Sequence, residues 1–215
     1  MTRKMLSRLF TNKNLDEVVS IIDKYKDKFG LNTDLRLAMF LAQVREEIGS
    51  EFKVARENLN YSSTSLTKVY KAFNDKLAKQ YGRTDKQKAD QVSIANIAYA
   101  NKLGNGNADS DGDGDMDEED DGWKYRGAGC LQITGKSNFE EVQKRCVKYA
   151  GKEMDPDALE GFVVFGMAYW MWKDIYKAAD TGDIDKVTAI VNKHTDSYDE
   201  RRKHYESIKD LVSGI

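Results

Sequence analysis

Four glutamates lie within the stretch from residue 43 to residue 62: Glu46, Glu47, Glu51 and Glu57. Glycoside hydrolysis needs two carboxyl groups with opposed roles, because one donates a proton to the leaving oxygen while the other acts on water or on the sugar. If this chain is an enzyme, we expect two of these glutamates to be its general acid and its general base.

Helical periodicity separates Glu47 from Glu46. Thr33 can cap a helix that runs to about residue 47 or 48, and apolar side chains surround this helix almost completely, so we predict that it is buried. The polar exceptions Arg36, Gln43 and Glu47 fall on one narrow stripe, which must face a cleft, water or polar partners. This makes Glu47 the better candidate for a residue that faces a cleft. The alternative is an ordinary glutamate at a helix end.

The position of Glu57 depends on where this helix ends. If the helix continued beyond Gly49, Glu57 would lie about 15 Å further along the axis. A pair of carboxyl groups that flanks a glycosidic bond is only about 5–9.5 Å apart. Since Gly49 and Ser50 favour termination, we expect the chain to reverse there and to bring Glu57 back towards Glu47.

An acidic run from residue 109 to residue 120 matches the calcium-loop pattern D-x-D-x-D-G. Gly114 takes position 6, where the chain must turn sharply, and position 12 is an aspartate instead of the usual glutamate. A second register runs from residue 107 to residue 118 with Gly112 at position 6, and a disordered acidic run is a further alternative. An oxygen-only ligand set argues against zinc and favours a structural Ca²⁺ ion. The predicted ligands are Asp109, Asp111, Asp113, Asp115, Asp117 and Asp120.

A segment rich in glycine, from residue 121 to residue 139, follows the acidic run. Its glycines allow the backbone to approach a ligand closely. Gln132 and Thr134 alternate with apolar residues, so both can face one side of an extended segment. The sequence therefore predicts that this segment contributes to a binding surface.

Composition predicts a helical protein that forms a single domain over residues 1–215, with an inserted acidic loop at 107–121. The chain is 40% apolar and 33% charged, with one proline. It shows no apolar stretch long enough for a signal peptide or a membrane span. Cys130 and Cys146 are expected to be reduced and partly buried thiols.

The charge is unevenly distributed. Residues 109–121 carry nine acidic side chains, so a net charge of −2 leaves +7 on the remainder. A basic body suits an anionic partner such as cell wall, nucleic acid or a membrane surface.

Several further helices are expected from amphipathic periodicity. They cover residues 14–29, 63–80, 183–193 and 198–212, and Thr84 is expected to cap the helix that carries Asn96. The two histidines, His194 and His204, are isolated from other metal-binding or nucleophilic residues, and both are expected at the surface.

The motifs, taken together and in order, resemble glycoside hydrolase family 19, most closely its phage endolysin branch and bacterial chitinase-like relatives. The resemblance covers about residues 31 to 205 and no single motif would be sufficient for it. The motifs are Phe40-Leu-Ala-Gln43, Glu47, Glu57-Asn-Leu-Asn-Tyr-Ser62, Asp90 to Asn101, Gly104-Asn-Gly106 and Asp121 to Gly135.

This resemblance implies an all-α, lysozyme-like fold of two lobes with a central cleft and at most a small β-hairpin. It also implies inverting hydrolysis of β-1,4 bonds in an N-acetylated polysaccharide. Glu47 matches the general acid, Glu57 the general base, and Thr134 a hydroxyl that positions the attacking water. The implied substrate-binding residues are Gln132, Asn138, Tyr61, Asn96, Asn192 and Arg201.

The sequence departs from the family pattern at Glu46, where a histidine is usual, and at Ala128, where an arginine is common. The spacing from Glu47 to Glu57 is one residue longer than in close relatives. The acidic loop is an insertion, and we expect its ion to support Gln132 and Thr134.

The expected function is that of an endolysin that degrades peptidoglycan, either as a muramidase or as a glucosaminidase. Its partner would be the glycan strand, with no nucleic acid, no stable membrane insertion and a monomeric state. It would be made in the host cytoplasm and would act in the periplasm after release by a holin. The alternatives are a bacterial chitinase and a catalytically inactive, calcium-dependent glycan-binding module.

Overall fold

Helices provide nearly all of the regular structure in the computed structural model, which describes residues 1–11 and 14–213. Within these ranges the strand pairing is limited to one isolated bridge between Ser62 and Arg83, so the predicted all-α class is confirmed and the optional hairpin is absent. The helices in chain order are α1 (Thr2–Leu9), α2 (Leu15–Tyr25), α3 (Asp34–Ile48), α4 (Ser63–Val69), α5 (Asp75–Tyr81), α6 (Gln91–Tyr99), α7 (Asp121–Lys124), α8 (Lys136–Arg145), α9 (Leu159–Trp172), α10 (Ile175–Ala179), α11 (Ile184–Val191) and α12 (Tyr198–Glu206).

The chain divides into two compact units. The first comprises Met1–Ala55, Ala128–Gln132 and Glu141–Ile215, and the second comprises Arg56–Gly127 and Ile133–Glu140. Among the described residues, no helix is both long enough and apolar enough to cross a membrane.

Helix α3 is the central helix of the first unit. The Thr33 side chain accepts a hydrogen bond from the Arg36 amide, and Gly49 ends the helix with a φ of 73°, which an L-residue rarely adopts. Both ends are therefore as predicted. Its apolar residues between Leu37 and Val44 are buried, as an apolar helix surface requires. On this core Phe40 meets Trp170 of α9 edge to face, with ring centroids 5.5 Å apart.

The remaining helices of the first unit depart from prediction mainly at their ends. Helix α2 stops at Tyr25 instead of residue 29, and α12 stops at Glu206, followed by a 3₁₀ turn at Lys209–Leu211. Helix α1 was not predicted. The free thiols of Cys130 and Cys146 are both buried, and burial raises the pKa of Cys146 to about 12.

The second unit packs α4, α5 and α6 around a separate small core, which includes Leu59, Leu66 and Phe73. The single helix predicted over residues 63–80 is wrong. Helix α4 ends at Val69, and the Asn74 side chain caps α5 by accepting a hydrogen bond from the Leu77 amide. A local capping side chain offered the backbone an alternative to a continuous helix.

The expected cap at Thr84 is also wrong. The Thr84 hydroxyl instead accepts a hydrogen bond from the Lys86 amide, in a local turn. Helix α6 begins at Gln91, where Asp90 accepts a hydrogen bond from the Ser93 amide. Both threonine and aspartate are good capping residues, so only the path of the chain decided between them.

Candidate active site

Glu47 lies in the last turn of α3, and its carboxylate faces a cation. Its Oε1 accepts a hydrogen bond from Arg201 Nη2 at 2.7 Å. The Arg201 side chain on α12 is only 3% exposed, against 16% for that of Glu47. A buried guanidinium therefore provides the principal polar contact of Glu47, and polar partners are one of the surroundings that the stripe on α3 predicts.

Gln43 lies one turn before Glu47 on the same helix face and is fully buried. Its Oε1 accepts a hydrogen bond from Arg201 Nη1 at 2.6 Å, and its Nε2 donates to Thr188 Oγ1 at 3.0 Å. The Thr188 hydroxyl in turn donates to the carbonyl of Ile184. The predicted polar stripe on α3 therefore meets polar partners from α11 and α12 at Gln43, which satisfies these buried groups.

Arg201 and Asn192 were both predicted to bind substrate. The Arg201 guanidinium is engaged by Gln43, Glu47 and the Ser197 hydroxyl, so in this structure it organises the surroundings of Glu47. Asn192 is exposed and follows the last residue of α11, and its amide donates to the carbonyl of Thr188.

Glu46 points to a different partner from Glu47. Its Oε2 lies 3.1 Å from Nε2 of His204, and both side chains are partly buried. His204 was expected at the surface, but its side chain is partly buried against Glu46. Burial lowers the pKa of His204, although Glu46 acts in the opposite direction.

Glu57 lies in the second unit, on a non-helical segment that is clamped by Gly127. The Glu57 amide donates to the Gly127 carbonyl at 2.9 Å, and the Gly127 amide donates to Glu57 Oε2 at 3.1 Å. Tyr99, at the end of α6, donates its hydroxyl to Oε1 at 2.6 Å, and the Tyr70 hydroxyl lies 3.5 Å from the same oxygen. Neutral donors therefore fix both carboxylate oxygens.

Sequence analysis did not identify either of these two tyrosines as a partner of Glu57. Burial, followed by the charge of Glu57, raises the pKa of Tyr99 well above its ordinary value, and burial likewise raises the pKa of Tyr70. Their hydroxyls therefore remain protonated donors near neutral pH. The sequence provides little indication of this contact, because Tyr99 resembles the other large residues on the apolar surface of α6.

Tyr61 packs against the same tyrosine cluster. Its ring meets that of Tyr70 edge to face at 5.5 Å, and Tyr70 meets Tyr99 at 6.1 Å. Tyr61 also lines an open cavity of about 330 Å³ together with Asn58, Asn60 and Arg83.

The glycine-rich segment does not form the predicted extended surface. Gln132 has a φ of 49°, its amide donates to the Gly129 carbonyl, and it belongs to the first unit. Its Nε2 donates to the carbonyls of Ala55 and Gly129. Thr134 belongs to the second unit, where its carbonyl accepts a hydrogen bond from Asn138 Nδ2 at 2.7 Å. A turn at Gln132 therefore breaks the alternation on which the prediction relied.

Asn96 is completely buried on α6. Its Nδ2 donates to the Asp117 carbonyl at 2.8 Å and to Asp120 Oδ2 at 3.2 Å, and its Oδ1 accepts a hydrogen bond from the Trp123 amide at 2.7 Å. This placement favours a structural role, in which Asn96 fastens the acidic loop to α6.

The acidic loop brings three of its six predicted ligands together. Carboxylate oxygens of Asp109, Asp111 and Asp120 lie within 4.8 Å of one another. Asp120 is buried and also accepts hydrogen bonds from the Asp117 amide and the Ser110 hydroxyl. The side chains of Asp113 and Asp117 each accept a hydrogen bond from a backbone amide two residues later, and the Asp115 amide is one of these donors.

Comparison with known proteins identifies the family of the chain. No protein-family model matches the chain. The chain is 35% identical over 212 residues to a Haemophilus influenzae protein described as a glycosyl hydrolase family 19 domain-containing protein, and the alignment covers 95% of this chain and 96% of that protein. Identity at this level over nearly the full length of both chains, together with the helical fold, shows that the chain belongs to glycosyl hydrolase family 19 and is a glycoside hydrolase.

Proposed function

We propose that this glycoside hydrolase is an endolysin that cleaves β-1,4 bonds of the peptidoglycan glycan strand with inversion, as a muramidase. The observation that carries the proposal is that hydrogen bonds fix the side chains of both Glu47 and Glu57, and that the donors of these hydrogen bonds differ. Glu47 is bonded to Arg201, whereas Glu57 is bonded to neutral donors. An inverting reaction requires such a division, because one carboxyl group must donate a proton and the other must accept one from water.

Glu57 is the proposed general base. The Gly127 amide and the Tyr99 hydroxyl hold its two oxygens in a fixed orientation, so that little reorganisation is needed when it accepts a proton from the attacking water. Thr134 is the proposed hydroxyl that orients this water. Gln132, Asn138 and Tyr61 are proposed to contact the sugar.

Glu47 is the proposed general acid. Arg201 occupies its Oε1, and among the described residues Oε2 makes no hydrogen bond. A protonated carboxyl group can present its hydroxyl from Oε2 while its carbonyl oxygen still accepts a hydrogen bond from Arg201. The proton on Oε2 would then pass to the oxygen of the leaving sugar.

The anionic wall polymer suits the charge of the chain. Outside residues 109–121 the protein carries a net charge of +7, which would concentrate it on peptidoglycan at low ionic strength. We propose that it acts as a monomer, made in the bacterial host and released by a holin to lyse the wall from the periplasm.

The test is mass spectrometry of the fragments released from purified sacculi. Reducing-end muramic acid identifies a muramidase, and reducing-end glucosamine identifies a glucosaminidase. Glu47→Gln is the inactive control. Turnover of chitin oligosaccharides without any release from sacculi would contradict the proposal and would favour the chitinase alternative.

We also propose that the acidic loop binds one structural Ca²⁺ ion through Asp109, Asp111 and Asp120, with Asp113, Asp115 and Asp117 completing the oxygen ligands. A hard, oxygen-only donor set fits this ion. Because Asn96 ties the loop to α6, which also carries Tyr99, an ordered loop would support Glu57. The loop also contacts the start of α8, through Asp121 and Lys136, and so would support Thr134 as well.

Chelation tests this site. Treatment with a calcium chelator is expected to lower both the melting temperature and the rate on sacculi, and added Ca²⁺ should restore them. An unchanged melting temperature in chelator, with no calcium found by elemental analysis, would contradict it.

A further inference from the structure

We propose that Arg83, together with Asn58, Asn60 and Tyr61, forms a subsite for a carboxylate carried by the glycan, and that this subsite favours peptidoglycan over chitin. The ligand is either the lactyl carboxylate of a muramic acid residue or a carboxylate of its stem peptide. This inference rests on the proposed function, because it selects a substrate for the same reaction.

The backbone fixes Arg83 beside Tyr61. The Arg83 amide donates to the Tyr61 carbonyl at 2.9 Å, and the Ser63 amide donates to the Arg83 carbonyl at 3.1 Å. Ser62 and Arg83 form the parallel bridge between these segments. Gly82 makes this approach feasible, since a Cβ on it would lie only 2.6 Å from the Ser63 Cα. Backbone hydrogen bonds within the second unit therefore fix the position of the Arg83 backbone.

Two features connect the cavity that these residues line to Glu57: one lining residue is its neighbour in sequence, and another packs against a residue that contacts its carboxylate. Asn58 follows Glu57 directly. Tyr61 packs on Tyr70, whose hydroxyl lies 3.5 Å from the Glu57 carboxylate. With a volume of about 330 Å³, the cavity lies within the range for small-ligand sites. A group bound here would belong to the same glycan strand as the bond that Glu57 acts on.

The electrostatics of the cavity favour an anion. In the described part of the chain, the Arg83 side chain forms no ion pair or hydrogen bond, whereas Arg36, Arg145 and Arg202 are each paired with a carboxylate. A free guanidinium matches the geometry of a carboxylate with two parallel N–H donors. Asn58 uses its Oδ1 to accept the Asn60 amide. Its Nδ2 has no protein acceptor in the same part of the chain and can donate to the ligand.

The chemistry of the two candidate polymers differs at this group. Chitin carries no carboxylate, so Arg83 would gain nothing from it. Peptidoglycan carries the muramic lactyl group, whose carboxyl is either free or linked to a peptide with carboxylates of its own. Arg83 is therefore a specificity-determining residue and not a participant in the bond cleavage.

The test compares wild-type protein with Arg83→Gln and Arg83→Lys on two forms of sacculi. One form is intact, and the other has had its stem peptides removed by an amidase, which leaves the lactyl carboxylate free. Arg83→Gln is expected to reduce kcat/KM about tenfold, mainly through KM, as loss of a charge-assisted hydrogen bond predicts. Arg83→Lys should retain part of the activity. The form of sacculi on which the loss is larger identifies which carboxylate is bound.

Lys86→Gln is the matched control, because it removes one exposed positive charge three residues away. Binding of soluble glycan fragments is measured separately, on the Glu47→Gln background, by isothermal titration calorimetry. Adding Arg83→Gln should weaken binding of anionic muropeptides and leave binding of chitin oligosaccharides unchanged.

Two outcomes would overturn the proposal for Arg83: equal losses for Arg83→Gln and Lys86→Gln, or equal effects on anionic and neutral glycans. Full activity of Arg83→Gln on sacculi that the wild type cleaves would also overturn it, while leaving the proposed function intact. Failure of the wild type itself to cleave sacculi would instead reject the proposed function.

Discussion

The surroundings of Glu47 and Glu57 differ in almost every respect. Glu47 lies in the last turn of a long, largely buried helix and meets a buried arginine that is 154 positions away in the sequence. Glu57 lies on a non-helical segment and is held by a backbone amide and a tyrosine hydroxyl, with no cation among the side chains that bond to it in the described structure. One carboxylate is thus anchored by charge, and the other is anchored by neutral donors.

The two kinds of contact also differ in how they respond to the loss of one partner. A contact with a buried cation is strong but depends on both partners, because either charge becomes costly when it is left alone in the interior. Neutral donors each contribute less, and the loss of one leaves the others in place. Mutations should therefore have a sharper effect around Glu47 than around Glu57.

The largest effect is expected from removal of the carboxylates themselves. Glu47→Gln and Glu57→Gln should each lower kcat on sacculi by about 10³-fold or more, since each removes one of the two proton-transfer groups. Release of reducing ends from sacculi measures the rate. Glu51→Gln, at an exposed neighbouring position, should keep full activity. Near-normal activity of either active-site variant would show that the acid and base are elsewhere.

Removal of Arg201 should have the next largest effect. Arg201→Met leaves Glu47 and Gln43 without their shared partner, and loss of one member of a buried pair costs about 3–5 kcal/mol of unfolding free energy. Urea unfolding measures this cost. Arg202→Met is the control, because its ion pairs with Asp185 and Asp199 are exposed and should contribute little. Equal stability of the two variants would contradict the importance of the buried network.

Loss of a single neutral donor should have a moderate effect. Tyr99→Phe removes the hydroxyl that donates to Glu57 and should lower kcat about tenfold with little change in KM, consistent with loss of one hydrogen bond to a charged group. Steady-state kinetics on soluble glycan fragments separates the two parameters. Tyr81→Phe serves as the control, because the Tyr81 hydroxyl bonds to Gln80 and not to Glu57. A change in KM alone would assign Tyr99 to substrate binding.

The smallest expected effect is a dependence of the unfolding free energy on pH. It should arise from His204, which contacts Glu46 beside Glu47, and not from the tyrosines beside Glu57. Burial lowers the pKa of His204, whose ordinary value is 6.5, so the folded state favours neutral histidine. The unfolded chain then binds the extra proton first, and stability should decrease as the pH falls from about 7.5 through 6.5. Tyr99 and Tyr70, which contact Glu57, do not titrate in this pH range, because their pKa values are raised above the ordinary value for tyrosine.

Urea unfolding at pH 7.5 and pH 5.5 checks this prediction. His204→Gln should reduce the difference in unfolding free energy between the two pH values, and His194→Gln, which replaces the other histidine of the chain, should leave it unchanged. An identical pH dependence in His204→Gln and the wild type would show that the contribution comes from another group.

The sequence by itself determined what depends on local pattern. Composition and periodicity favour helices, and the family resemblance implies the all-α class. Both ends of α3 follow from Thr33 and Gly49, because caps and helix stops act over a few residues. The order and spacing of the motifs were also sufficient to suggest the family. The similarity to a known member then showed that the chain belongs to it. The choice of Glu47 and Glu57 stays a prediction that the active-site variants test.

Only the tertiary structure decided the partners. Arg201 reaches Glu47 from 154 positions away, and Gly127 reaches Glu57 from 70 positions away, so no local period encodes either contact. Asn96 was predicted to bind substrate, but in the folded chain it is buried and its side-chain amide donates to the acidic loop. The physical reason is that a side chain's type fixes which bonds it can make, whereas the partner that satisfies it is fixed only when distant segments close on one another.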